Sequence, residues 1–166
     1  LHHRRMTTDD VLRFWFEETS PEQWWRNDPV FDQSIRIRFG NLHDAASRAE
    51  LWAWRETAPG RLAEIILLDQ FSRNLHRDAP RAFACDPLAL TLAQEAVRIG
   101  ADLQIAPERR AFVYMPYMHS ESPLIHSVAV DLFRERAPDN LDYELRHKAI
   151  VDPEENAFLA QPGSSF

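Results

Sequence analysis

"RLAEIILLDQFSRN", residues 61–74, decides how the rest of the chain is read. Four apolar residues in a row, Ile65 to Leu68, run directly into Asp69-Gln70-Phe71-Ser72-Arg73-Asn74. On a helix from about Leu62 to Phe71, the stripe Leu62-Ile66-Asp69-Arg73 places an acid and a base in line with core residues. Asp69 and Arg73 are four apart, as are Gln70 and Asn74, so each pair can meet across one turn if the helix reaches that far. A half-buried ion pair costs desolvation, and losing one partner leaves an uncompensated charge. Two readings follow. In one, Arg73 holds loop carbonyls, Asp69 neutralises it and Asn74 caps the helix end. In the other, the helix end opens into a pocket where Arg73 meets an anionic ligand that Asp69 positions.

Outward from this stretch, the signals are those of helices. Eleven prolines stand against four glycines, and five of the prolines follow a capping side chain: Ser20-Pro21, Asp28-Pro29, Asp86-Pro87, Ser122-Pro123 and Asp152-Pro153. The capping oxygen accepts from free amides of the first turn, and proline, lacking an N–H, suits the first helical position. Pro107-Glu108 is a weaker version. Apolar spacing agrees: Val11, Leu12, Trp15 and Phe16 after a cap at Thr8 or Asp9; Phe31, Ile35, Phe39 and Leu42; Leu88, Leu92, Ala93, Ala96 and Ile99, closed by Gly100. Leu124, Val128, Leu132 and Phe133 form another stripe, followed by Tyr143, Leu145 and Ile150. No long period-two alternation and no Asn-Gly or Asp-Gly hairpin turn occurs. The fold class expected is all-α: one domain over residues 6–166, a stack of antiparallel helical hairpins. The small residues Ala82, Ala84, Ala89, Ala93 and Ala96 suit a tetratricopeptide-like superhelix with irregular repeats.

Bulk properties narrow the function classes. A net charge of −7 argues against nucleic acid as partner, since that needs a basic footprint. No apolar run approaches the roughly 20 residues that span a bilayer. The single cysteine, Cys85, suits a reducing cytoplasm. The opening "LHHRRM" has no signal-peptide stretch, and residues 1–5 are left outside the fold. The five tryptophans fall early in the chain, where inter-helix packing accounts for them better than the wall of a ligand cleft.

A second dense stretch, "RRAFVYMPYMHSES", residues 109–122, supplies the remaining candidates. Pro116 is expected to break or kink a helix begun near Pro107, leaving Tyr117-Met118-His119 at a bend. His119, with Glu121 close by, is a candidate acid/base pair near neutral pH. It is equally readable as a satisfied buried hydrogen-bonder. Arg110, Tyr114 and Ser120 join Asp69, Gln70, Arg73 and Asn74 as candidate ligand-binding residues. Ser120 lacks the glycines of a nucleophile elbow. His119 and His126 with one acid make a poor metal signature, so neither metal nor cofactor is expected.

These motifs resemble a bacterial family known as domain of unknown function 924. The matching residues are Phe14-Trp15-Phe16, Trp24-Trp25, Phe31-Asp32, Trp54, Leu67 to Asn74, Ala82-Phe83-Ala84-Cys85-Asp86 and Phe112 to Glu121. The resemblance implies an all-helical, tetratricopeptide-like stack and settles no reaction. By comparison with the family, about twenty basic and aromatic residues are missing between Ile150 and Val151, in the length range of functional loops.

The function expected is a polar pocket for a small, anionic ligand, with a hydrolase-type acid/base site at His119 and Glu121. Asp69, Arg73, His119 and Glu121 would share one recess. The alternative is a helical-repeat module that binds a peptide or partner protein without catalysis.

Overall fold

The structure, a computed structural model, describes residues 5–152. In chain order the α-helices are α1 (Thr8–Arg13), α2 (Pro21–Trp25), α3 (Pro29–Ser47), α4 (Ala58–Ile66), α5 (Ser72–Leu75), α6 (Asp86–Arg98), α7 (Ala111–Met118), α8 (Pro123–Arg136) and α9 (Leu141–Val151). Short 3₁₀ turns and two π-helical turns join them, and no strand occurs among the described residues. The fold is all-α.

Capping chemistry sets the helix starts. Pro21, Pro29 and Pro123 are each the first residue of a helix, behind Ser20, Asp28 and Ser122. The Asp28 carboxylate accepts from the amides of Val30 and Phe31 at 3.0 and 3.2 Å, satisfying two of the otherwise unpartnered N–H groups. α1 is capped one residue earlier than expected. Thr7 accepts from the Asp10 amide, and the Asp10 carboxylate accepts from the Thr7 amide at 2.7 Å. Gly100 follows α6 with φ of 77°, the left-handed conformation that glycine adopts without steric cost. Of the start signal at Asp152-Pro153, Asp152 follows the last residue of α9 and Pro153 lies outside the described residues. Ile150 and Val151 are consecutive residues of α9, so the helix crosses the expected loop position unbroken.

The described residues divide into two compact units, the first ending at Ala89 and the second beginning at Leu90. The first is built on an aromatic cluster. Phe71 sits 5.3 Å from Phe39, 5.5 Å from Trp15 and 6.0 Å from Phe14, ring centre to ring centre. Phe39, Trp15 and Phe71 are fully buried. Two π-helical turns feed this cluster: Phe14–Glu18 after α1, and Leu67–Phe71 between α4 and α5. The helix expected from about Leu62 to Phe71 is met by α4 and the π turn that follows it. The chain is helical throughout, but over "LLDQF" the turn widens, a feature that resets side-chain register. Gly60 in α4 makes a second close fit, since a Cβ there would run into the Trp54 carbonyl.

In the second unit α7 packs against α8, and α8 against α9. All eight residues of α7 are buried, as an apolar-all-round helix requires. Pro116 does not break it. At the sixth of eight positions the proline removes a single late hydrogen bond, the helix continues to Met118, and the bend follows His119. Two expected apolar stripes are only half realised. Leu132 and Phe133 are buried, but Leu124 and Val128 are 74% and 44% exposed. On α9, Tyr143 and Ile150 face out while Glu144 and Ala149 are buried. The reason is polar: α9 turns Glu144 inward to meet His126 of α8.

Candidate functional site

The π turn presents Asp69 and Gln70 to the interior, both buried. Arg73 donates to the Asp69 main-chain carbonyl at 2.8 Å and lies 3.5 Å from its carboxylate. Its principal partner is Asp86, the first residue of α6, which accepts from Nη1 and Nη2 at 2.9 and 3.0 Å. Burial opposes the charge on Arg73, but Asp69 and Asp86 outweigh it and hold the guanidinium above its ordinary pKa.

Gln70 and Asn74 do not meet. Gln70 donates to Asp69 at 2.9 Å, and Asn74 donates to Asp32 of α3 at 2.9 Å. Each finds its acceptor elsewhere, Gln70 on the neighbouring residue and Asn74 on α3. Asp32 also accepts from Arg77 at 2.8 and 3.1 Å. Asn74 therefore links α5 to α3 rather than capping a helix end.

Ser72, fully buried, has a role the sequence did not disclose. Its hydroxyl donates to the Leu68 carbonyl at 2.6 Å, and His43 Nε2 lies 2.7 Å from the same oxygen. A hydroxyl has one proton, and a carbonyl can only accept, so Nε2 of His43 is the donor. In the neutral ring Nδ1 then carries the lone pair. The His76 ring lies 6.0 Å from that of His43. Burial, then the His76 charge, pushes His43 below its ordinary pKa; burial, then Arg81 and Arg36, does the same to His76. Arg36 donates to the Leu75 carbonyl at 3.0 Å. Arg81, in the turn Pro80–Phe83, is exposed and has no ion-pair partner among the described residues.

The second unit holds two buried polar groups. His126 and Glu144 are both fully buried, with Nδ1 at 3.0 and 2.9 Å from the two carboxylate oxygens. Nε2 of His126 donates to the Ser120 carbonyl at 2.6 Å. Burial alone would lower the His126 pKa, but Glu144 and the Ser120 carbonyl raise it. Nearby, Asp102 Oδ2 accepts from Tyr114 and from Arg136, each at 2.6 Å. Burial and the Asp102 carboxylate keep the Tyr114 phenol well above its usual range. The same two causes push Tyr117 up to about 12. Arg110 donates to the carbonyls of Asp102, Leu103 and Ile105 at 3.1, 3.3 and 3.0 Å.

The expected site residues thus fall into separate local sets. Gln70 and Arg73 each meet Asp69 in the first unit, and Asn74 belongs to the Asp32 group. In the second, Arg110 and Tyr114 converge on Asp102, and Ser120 supports His126. His119, half-buried, caps α7 with its ring 6.1 Å from that of His147. Glu121 is exposed. His43, His76 and Arg81 were not singled out from sequence. The available signal was His43 itself, an ionisable residue on the apolar face of α3, four residues after Phe39.

No functionally curated protein matches the chain. A solved structure of a protein of unknown function, ATU0120 from Agrobacterium tumefaciens, is 34% identical, with a TM-score of 0.83 over 92% of this chain and 96% of that one. Residues 11–156 match the family model described as bacterial protein of unknown function, DUF924. With so much of its length matched, the chain belongs to the DUF924 family of bacterial proteins of unknown function.

Proposed function

We propose that the protein binds a small anionic molecule at the end of the "LLDQFSRN" segment, using Arg81 with the His43–His76 pair, while Arg73 acts as an internal brace. The observation that carries this reading is the contrast between the two arginines. Arg73 is engaged by Asp86 and Asp69, whereas Arg81 is exposed and makes no ion pair among the described residues. An anion gains most where a guanidinium has free donors and no competing carboxylate. Arg81 and Arg36 both act electrostatically on His76, so positive potential is concentrated on one part of the first unit.

The test is a thermal-shift titration with sulfate and with oxalate as probes. A ligand that binds only the native state raises the melting temperature with concentration. Arg81→Ala is expected to weaken binding about tenfold, the value of roughly one charge-assisted hydrogen bond. It should leave the melting temperature without anion unchanged. An undiminished anion response in that variant would refute the assignment.

A second reading keeps His119 and Glu121 as an acid/base pair in the second unit. Its support is the half-buried His119 ring, 6.1 Å from that of His147 and still accessible from solvent.

A further inference from the structure

We infer that His126 is a proton-operated latch on residues 119–122, the turn that carries His119 and Glu121. With both ring nitrogens protonated it holds the Ser120 carbonyl, and on losing one proton it keeps Glu144 and releases the turn. The device lies wholly in the second unit and does not depend on anion binding in the first.

Two acceptors fix the protons of the ring. A carbonyl oxygen can only accept, so Nε2, 2.6 Å from that of Ser120, carries a hydrogen. Nδ1 lies 3.0 and 2.9 Å from the two oxygens of Glu144. A lone pair there would face an anion, so a second proton sits between Nδ1 and the carboxylate. Both side chains are fully buried, and bulk water is not at hand to replace either bond. One imidazole on α8 thus ties α9 to the turn that precedes α8.

A neutral imidazole has a single N–H for these two acceptors. A hydrogen bond to an ionised carboxylate is roughly twice as strong as one to a neutral carbonyl, so the remaining hydrogen stays on Nδ1. Nε2 then turns a lone pair toward the Ser120 oxygen, and the 2.6 Å contact changes from attractive to repulsive. The proton that leaves is the one on Nε2, which faces the half-buried Ser120, and it passes to solvent. No other bond is made or broken.

Among the described residues the Ser120 carbonyl accepts from His126 alone. The amides of the turn bond elsewhere: His119 to the Met115 carbonyl at 3.0 Å, Ser120 to the Tyr117 carbonyl at 3.2 Å, and Ser122 to the Ser120 hydroxyl at 3.1 Å. These bonds run back to α7 or stay within the turn. When the imidazole withdraws its donor, the half-buried carbonyl has water as the alternative, and an outward movement of the turn satisfies it.

Other charged and titratable groups surround the pair. From α9 come Lys148, 3.1 Å from Asp152, and His147, whose ring is 6.1 Å from that of His119 at the end of α7. Tyr114 of α7 and Arg136 of α8 are engaged by Asp102, and Asp131 and Arg134 face each other at 3.6 Å on the exposed side of α8. Tyr117 of α7 is buried and holds its proton to about pH 12. Burial and, more weakly, Lys148 oppose the charge on His126, but Glu144 and the Ser120 carbonyl outweigh them and raise its pKa. The latch is therefore closed below the ordinary histidine value of about 6.5 and opens as pH rises through the higher folded value.

The experiment is ring-nitrogen NMR of the histidines in the full chain, with the Ser120 carbonyl carbon followed through the same pH titration. In mildly acidic buffer both His126 nitrogens should lie in the protonated range. As pH rises, Nε2 should move to the unprotonated range while Nδ1 stays protonated, and the Ser120 carbonyl and Glu121 amide should shift with the same midpoint. Glu144→Gln distinguishes a latch from a merely structural pair. Its amide can donate to Nδ1, so the neutral ring keeps its hydrogen on Nε2 and the pH-dependent shift at Ser120 should vanish. If that variant does not fold, the wild-type titration decides alone. Loss of the Nδ1 proton with Nε2 unmoved, or a Ser120 carbonyl that does not follow the ring, would overturn the inference. A ring that keeps both protons until the chain unfolds, or an unchanged Ser120 transition in Glu144→Gln, would do the same.

Discussion

Replacing Glu144 with alanine is expected to destabilise the second unit by about 3–5 kcal/mol, the cost of stranding one partner of a buried ion pair. Both nitrogens of His126 point at acceptors, the Glu144 carboxylate and the Ser120 carbonyl, and both side chains are fully buried. Without Glu144 the imidazole Nδ1 is left without a hydrogen-bond partner in a dry interior. The pair also fixes a pH dependence. The folded pKa of His126 is raised, so its stabilisation is fully present below the unfolded value of about 6.5 and is lost as pH rises through the folded value. Chemical denaturation across neutral to alkaline pH should show this decline in the wild type and not in Glu144→Ala. The double variant His126→Phe, Glu144→Leu should recover much of the loss, because apolar replacement of both partners removes the desolvation cost. A single variant as stable as the wild type would show that the pair is not formed.

Phe71→Ala is the second large effect. The ring is fully buried and touches Phe14, Trp15 and Phe39, so truncation removes transfer energy and leaves a cavity, together about 3–5 kcal/mol. Urea unfolding measures it. A loss below about 1 kcal/mol would mean that the neighbouring aromatic rings collapse into the space, and that the π turn is not what holds the cluster together.

The helical class was readable because its signals are local. Ser20, Asp28 and Ser122 stand directly before prolines, and Gly100 follows the last residues of an apolar run. The partners of the polar residues were not readable. Arg73 takes Asp86, Asn74 and Arg77 take Asp32, Tyr114 and Arg136 take Asp102, and His126 takes Glu144. Each pairing spans more than one element, whereas helical spacing speaks only of neighbours three or four apart. The π turn was hidden for a related reason, since one widened turn leaves the composition of "LLDQF" unchanged while shifting everything after it. The stripe expected on α9 failed because an apolar count cannot tell that a glutamate, once paired, turns inward in place of a tyrosine. His43 escaped notice as an isolated histidine. Its meaning comes only from the Ser72 hydroxyl and the carbonyl that hydroxyl serves.

The account's central claim is a division of labour between two arginines eight residues apart: Arg73 braces the first unit and Arg81 receives the ligand. Sulfate affinity and melting temperature, measured side by side for Arg73→Ala and Arg81→Ala, test it most directly. Arg73→Ala should melt lower, because Asp69 and Asp86 lose their shared cation, and should bind sulfate with near wild-type affinity while folded. Arg81→Ala should melt with the wild type and bind about tenfold more weakly. The opposite pattern, with binding lost at position 73 and untouched at position 81, would contradict the account.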